Sequence, residues 1–431
     1  MRNSSSETEP AEAGYPPYRR WLHALAMLLV IATFILVAIG GHVTSKDAGM
    51  AVPDGFTTFG VWSLVAPLES WWYEEGTRLE HSHRLKGYVV GGLTLALMLG
   101  FFATQRPRKW VLGLGVVLLL FVLVQALMGI VRVDENSVFL AGVHGVTGQV
   151  FLCLTVLATA AVGKFWMTRP TRPPASPADQ PRSEDASEGS SGGTPRHARS
   201  LRVLPLVLLA ALLVQLVLGS AVRHSKSALA IPDWPTHYGQ LVPPMSQEKL
   251  DAAVAAYPAE ELPERYGRAT EVSEARPYTA GQVHLHFAHR LGAYAVLAFG
   301  VWFVAYTFKH HATQPAVLIP AGLFGVFLLL QVALGVMTVW SGEHATLATS
   351  HQTVGALLIA TATWLTIRLH LVPCPKARPA HIPVAAGDAT TECFRSDPTP
   401  PEGVAAGADP QTHTPPAPKR TPETSPEPIT A

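Results

Sequence analysis

Hydrophobic residues in this chain come in blocks rather than stripes. Eight runs of roughly 17 to 25 mostly apolar residues lie at about 21–41, 84–104, 110–131, 141–163, 203–222, 287–308, 315–338 and 348–369. Each is apolar around its whole circumference, which reads as a membrane span and not as an amphipathic surface helix. The first run has no small-residue cleavage site behind it and is expected to be retained. The pattern predicts an all-α membrane protein with eight transmembrane helices.

Basic residues sort the intervening segments. Arg19 and Arg20 precede the first run, Arg106, Arg108 and Lys109 separate the second from the third, and Lys164, Arg169 and Arg172 follow the fourth. Arg199 and Arg202 precede the fifth, Lys309 lies between the sixth and seventh, and Lys376 and Arg378 follow the eighth. With eight alternating spans all of these fall on one side, so both termini are expected in the cytoplasm. The first opposite loop is acidic instead, with Asp47, Asp54, Glu69, Glu74, Glu75 and Glu80.

The polar segments divide the chain further. We expect a polar tail at 1–18, a four-helix bundle at 19–165, a flexible Pro/Ser/Gly-rich linker at 166–201, a second four-helix bundle at 202–371 and a disordered tail at 372–431. In the long outer loop 240–282, Ser246-Gln247-Glu248 opens a short capped helix that Pro258 ends. Trp71-Trp72-Tyr73 suggests an aromatic anchor at the lipid headgroups.

The two bundles are copies. Val43-Thr44-Ser45-Lys46-Asp47 and Pro53-Asp54 recur 179 positions later as Val222-Arg223-His224-Ser225-Lys226 and Pro232-Asp233. Gln125 to Gly129 recurs 206 positions later as Gln331 to Gly335, and His144-Gly145 recurs 207 later as His351-Gln352. The change of offset is an insertion of 27 residues in the second outer loop. Four spans, an even number, separate the copies, so the repeat is parallel. The fold class expected is therefore two tandem, parallel-repeat four-helix bundles.

Composition adds exclusions. At 48% hydrophobic and 15% charged residues the chain is too apolar for ordinary soluble domains, and a net charge of +1 gives nucleic-acid binding no support. Three cysteines, Cys153, Cys374 and Cys393, form no CxxC pattern and no disulfide framework.

Most of the 18 histidines need no function. His83, His144, His289 and His351 are different, because they occupy matched positions near the outer ends of even-numbered spans. Facing helices of a bundle commonly supply such ligands. Buried hydrogen-bonded histidine is the plain alternative. Zinc would want three or four close ligands, so two histidines per bundle suit a bis-histidine haem better, held non-covalently in the absence of CxxCH. Glu80, His83 and Arg84 share one helix face at i, i+3 and i+4. In the second copy His289 and Arg290 return, but His286 stands where Glu80 was.

Glu80-His81-Ser82-His83-Arg84, Gly142-Val143-His144-Gly145, Ile231-Pro232-Asp233-Trp234-Pro235, His289-Arg290 and Ser350-His351-Gln352 together resemble the haem A synthase family, over about residues 20–370. The resemblance implies oxidation of the C8 methyl of haem O to a formyl group, with oxygen from molecular oxygen or water. It implies that His83 and His144 hold the substrate haem with Glu80 as the catalytic carboxylate. His289 and His351 would be the axial ligands of a resident haem b. Arg84 and Arg290 would serve haem binding through a propionate. It further implies a bacterial-type cell membrane, haem sites toward the outer side, and haem O synthase and the terminal oxidase assembly machinery as partners. The electron donor is unknown, and a homo-oligomer is compatible with it. The chain lacks the cysteine pair many members carry in the first outer loop. The competing readings are a di-haem b-type electron carrier that leaves haem unmodified, and a transporter or haem-handling chaperone.

Overall fold

A computed structural model describes residues 16–168, 196–257 and 278–371. The expected tails are outside the described residues almost entirely, as are Pro258 and most of the expected linker. The described residues form ten α-helices: α1 (Arg20–Ser45), α2 (Glu75–Thr104), α3 (Lys109–Asp134), α4 (Val138–Val162), α5 (Lys164–Met167), α6 (Arg196–His224), α7 (Gln247–Ala256), α8 (Ala280–His310), α9 (Pro315–Trp340) and α10 (Ala345–Leu371). Among the described residues, eight of these are long and apolar enough to cross a membrane, α5 and α7 being the exceptions.

Three spans start well before the apolar pattern predicts. α2 begins at Glu75, α6 at Arg196 and α8 at Ala280, not near 84, 203 and 287. Hydropathy registers only the lipid-compatible part of a helix, whereas the polar first turns are held by other means. Thr279 and Gln282 close a reciprocal capping box at the start of α8. Glu80 and Arg84 form an i, i+4 ion pair inside α2.

α1 to α4 pack in a circuit, α1 on α2 and α4, α3 on α2 and α4. α6, α8, α9 and α10 pack likewise, and α4 and α10 carry the contacts between the two circuits, together with α1 and α6. Each circuit has its own apolar interior. Leu22, Leu29, Leu97, Phe101, Leu118 and Phe151 fill the first, and Leu208, Phe303, Phe324, Leu328 and Leu365 the second. Leu28, Ile31, Leu120 and Val326 remain exposed on the outer surfaces, as lipid-facing positions should.

The loops after α1 and α6 fold alike. Asp47 and Lys226 both have positive φ, as do Phe59 with Gly60 and Tyr238 with Gly239. Asp54 Oδ2 accepts the Gly60 amide at 2.8 Å, and Asp233 Oδ2 accepts the Gly239 amide at 2.8 Å. The first loop forms a two-residue hairpin, Thr57–Thr58 against Val61–Trp62. The second packs Ile231, Tyr238, Leu250 and Val283 into a small core that α7 helps to cover. As expected, α7 is capped by Ser246, whose side chain accepts the Lys249 amide at 3.3 Å. Of the aromatic triplet, Trp71 turns inward and stacks on His81 at 4.2 Å, while Trp72 and Tyr73 stay exposed.

Candidate functional site

Glu80, His83 and Arg84 lie on the second and third turns of α2 and serve different neighbours. Glu80 is only 3% exposed and faces the first outer loop. Its Oε2 accepts the Val52 amide at 2.8 Å and its Oε1 accepts from Arg84 Nη2 at 2.6 Å. Arg84 also donates from Nη1 to the carbonyls of Asp54 at 2.6 Å and Thr57 at 2.7 Å, and from Nη2 to Val52 at 3.2 Å.

Arg290 repeats this clamp on the second loop. Its Nη1 donates to Asp233 O at 2.8 Å and Thr236 O at 3.2 Å, and its Nη2 to Ile231 O at 3.0 Å. These three carbonyls are the repeat counterparts of those held by Arg84. Where Arg84 meets Glu80, Arg290 Nε donates to His286 Nε2 at 3.2 Å. The donors expected to reach a propionate are thus largely engaged by loop carbonyls in both copies. Both arginines fasten the loop that precedes their own helix.

His83 faces His144 on α4. Their ring centroids are 6.5 Å apart with an interplanar angle of 79°. The Nδ1 of each ring is buried without a hydrogen-bond partner. Buried polar atoms are rarely left so. Two imidazoles on one metal, each bonded at about 2 Å, have their centroids roughly 6 Å apart, so the observed separation suits an ion shared between the rings.

Each of the four histidines rests against a glycine of a neighbouring helix. A Cβ built on Gly40 would lie 2.9 Å from His83 Cε1, and one on Gly129 3.5 Å from His144 Cε1. The matched positions Gly219 and Gly335 give 3.0 Å to His289 Cε1 and 3.0 Å to His351 Cε1. Gln125-to-Gly129 and Gln331-to-Gly335 were visible in the sequence as repeat landmarks. Their use as ring seats was missed, although glutamine and glycine at i and i+4 on one face was the available signal.

In the second copy the rings carry polar partners. His351 Nδ1 donates to Gln331 O at 3.0 Å, which leaves Nε2 as the nitrogen free to ligate, the arrangement typical of metal-binding histidines. Gln331 Nε2 stands 3.3 Å from that Nε2, and Gln215 Nε2 stands 3.0 Å from His289 Nδ1. In the first copy Gln125 bonds Thr147 instead, at 2.6 Å. Val354 replaces that threonine in the second copy, which leaves Gln331 to turn toward the histidine. No group of three or more His, Cys, Asp or Glu able to hold a metal occurs among the described residues. The donor set is paired imidazoles, which suits haem iron and not tetrahedral zinc.

His81 is buried but turned away, with Nδ1 2.9 Å from Thr58 Oγ1. The second copy exchanges the partners. His237 takes the place of Thr58 and packs edge-on against Phe287, with centroids 5.0 Å apart.

Comparison with known proteins finds these similarities. Residues 202–270 and 263–363 match the family model COX15-CtaA, described as a cytochrome oxidase assembly protein. A protein of Chelativorans sp. strain BNC1 named heme A synthase is 24% identical over 393 residues, covering 81% of this chain and 92% of the relative. One of Methylobacterium radiotolerans with the same name is 26% identical over 382 residues, covering 80% and 88%. A third, of Novosphingobium aromaticivorans, is 41% identical over 80 residues, 19% of this chain and 21% of the relative.

Proposed function

From the likeness to the COX15-CtaA family model and to the two long relatives named heme A synthase, we propose that this chain belongs to the haem A synthase family and oxidises the C8 methyl of haem O to the formyl group of haem A. The observation that carries the reading is the His83–His144 pair, spaced for one shared iron with both Nδ1 atoms unpartnered. His83 and His144 would bind the substrate haem, and His289 and His351 would hold a resident haem b. When bound, haem b supplies one-electron redox chemistry. Molecular oxygen is the oxidant that takes up the four electrons lost by the methyl and leaves as water, and the formyl oxygen comes from molecular oxygen or water.

The chain's own residues contribute position and proton handling. The glycine seats fix the rings, and the arginine-clamped loops roof each site and exclude water. Glu80 is the catalytic carboxylate in this reading, holding or releasing a proton at Oε1 or Oε2 beside the substrate edge. Arg84 and the Val52 amide orient it. His286 in the matched place explains why only the first copy would react. The two circuits are read as tandem parallel four-helix bundles, with both termini cytoplasmic and the haem sites toward the outer face. Haem O synthase and the terminal oxidase assembly machinery are the proposed partners.

The test is expression in cells that make haem O but lack haem A, followed by extraction and chromatography of the haems. Haem A should appear with the wild type and be lost with Glu80→Gln. Inserted protein showing a b-type spectrum and no haem A would overturn the proposal.

A further inference from the structure

Arg132 lies in the last turn of α3, one turn outward of Gly129 on the same helix face. Gly129 is the residue against which His144 packs, so the guanidinium stands at the outer rim of the histidine pair. A cation partly buried at the end of a span usually has a partner. Arg132 makes one hydrogen bond among the described residues, from Nη2 to Gly49 O at 3.2 Å. The approach is so close that a Cβ on Gly49 would lie 2.9 Å from that nitrogen. No carboxylate is within ion-pair distance among the described residues. Asp134, two residues on, is used elsewhere, its Oδ1 accepting the Gly55 amide at 2.9 Å. Most of the five guanidinium N–H donors are therefore uncommitted, in contrast to Arg84.

We propose that Arg132 binds a propionate carboxylate of the porphyrin held by His83 and His144, an inference that rests on the functional reading above. A planar fork of donors matches a carboxylate, and the rim is where the water-seeking edge of a porphyrin standing in the bundle would emerge. Besides Arg84, already engaged by its loop, Lys86 is a further cation near His83, with Nζ donating to Ser82 O at 3.4 Å, but it lies a turn deeper on α2. A carboxylate there would be carried away from water at a higher desolvation cost.

The repeat sharpens the assignment. The counterpart of Arg132 is Thr338, whose Oγ1 bonds back to Leu334 O at 2.7 Å. The second copy instead has Arg223, one turn beyond Gly219, the seat of His289. Arg223 Nη2 donates to Gly41 O at 2.9 Å, and its own counterpart is Thr44. Each copy thus carries one arginine a turn outward of one ring seat, on α3 in the first and on α6 in the second. The two porphyrins would present their carboxylates toward different helices.

The experiment is an absorption titration of the purified full-length protein with iron protoporphyrin IX and with its dimethyl ester. The N-terminal site is identified as the binding lost in His144→Ala. At that site the wild type should prefer the free acid roughly tenfold or more, as a charge-assisted bond implies. Arg132→Gln should abolish the preference by weakening the acid alone, while Arg132→Lys keeps part of it. A wild type without the preference, or an Arg132→Gln protein that retains it, would overturn the inference and leave the functional reading standing. If Arg132→Gln does not insert, the wild-type preference and Arg132→Lys decide. Absence of any His144-dependent binding would remove both readings together.

Discussion

Arg84 Nη2 sits 2.6 Å from Glu80 Oε1, and the same guanidinium gathers three carbonyls of the first outer loop. The pair is therefore both a site element and the fastening of the loop above it. Removing one partner of such a buried pair typically costs about 3–5 kcal/mol. Arg84→Ala should release the loop, seen as faster proteolysis between Val52 and Trp62 and a lower thermal midpoint. Arg84→Lys should rescue little, because an ammonium cannot span the three carbonyls and the carboxylate. Glu80→Gln should keep the loop closed, since an amide oxygen still accepts the Val52 amide. Loss of haem A in Glu80→Gln with normal loop protection would separate its chemistry from its structural duty.

The second copy makes the same fastening without a carboxylate. Arg290→Ala should open the second loop, read as faster hydrogen exchange at the Tyr238 and Gly239 amides. The first loop should be unaffected, because the two clamps share no partner.

Much of this was legible in the sequence, for identifiable reasons. Eight apolar blocks gave eight spans because a backbone in lipid has few other options. The four histidines stood out because duplication displayed them twice. The early starts of α2 and α8 were not legible in hydropathy, which registers only the lipid-compatible part of a helix, although Glu80, His83 and Arg84 already read as one helix face. The partners of Arg84 and Arg290 were also hidden, because backbone carbonyls carry no sequence signal. The seats at Gly40 and Gly219 depend on helix–helix approach, which a single chain's periodicity does not encode.

Those seats can be tested directly. Gly40→Ala would put a methyl 2.9 Å from His83 Cε1, and Gly335→Ala would put one 3.0 Å from His351 Cε1. Overpacking of this kind costs about 1–3 kcal/mol, and the ring is the part able to give. Gly40→Ala should shift the spectrum and lower the occupancy of the first site, with the second unchanged. Gly335→Ala should do the converse. Gly145→Ala is the control beside His144, because nothing lies within 4 Å of a Cβ there. Equal spectra in all three proteins would show that the seats do not position the rings.

Acid should loosen the second outer loop in two stages. Burial lowers the pKa of His237 from its usual 6.5, reinforced by the charge of Arg290. The folded loop then binds fewer protons than the unfolded one, so this contribution is present above 6.5 and fades as pH falls below it. Asp233 is also lowered from its usual 3.8. Burial opposes the shift, but hydrogen bonds from Thr236, Gly239 and Tyr238 outweigh it. Its contribution holds above 3.8 and is lost as pH falls through the lowered value. The protection factor of the Gly239 amide, followed from pH 7.5 to about 3 and corrected for the intrinsic pH dependence of exchange, should fall at both stages. His237→Phe should remove the upper stage and Asp233→Asn the lower.

Val354 offers a test of why the two copies differ. In the first copy Thr147 takes the Gln125 amide at 2.6 Å. In the second, Val354 offers nothing, and Gln331 Nε2 stands 3.3 Å from His351 Nε2 while its Oε1 is buried without a partner. That amide occupies the ring nitrogen an iron would take, so haem binding there must first displace it. Val354→Thr supplies the missing acceptor at nearly constant shape. The released hydrogen bond is worth about 0.5–1.5 kcal/mol, which corresponds to a roughly two- to tenfold gain in haem affinity at the His289–His351 site. The expected signature is slower haem loss to an apoprotein acceptor from that site alone. Unchanged or faster loss would mean that Gln331 does not compete with the iron.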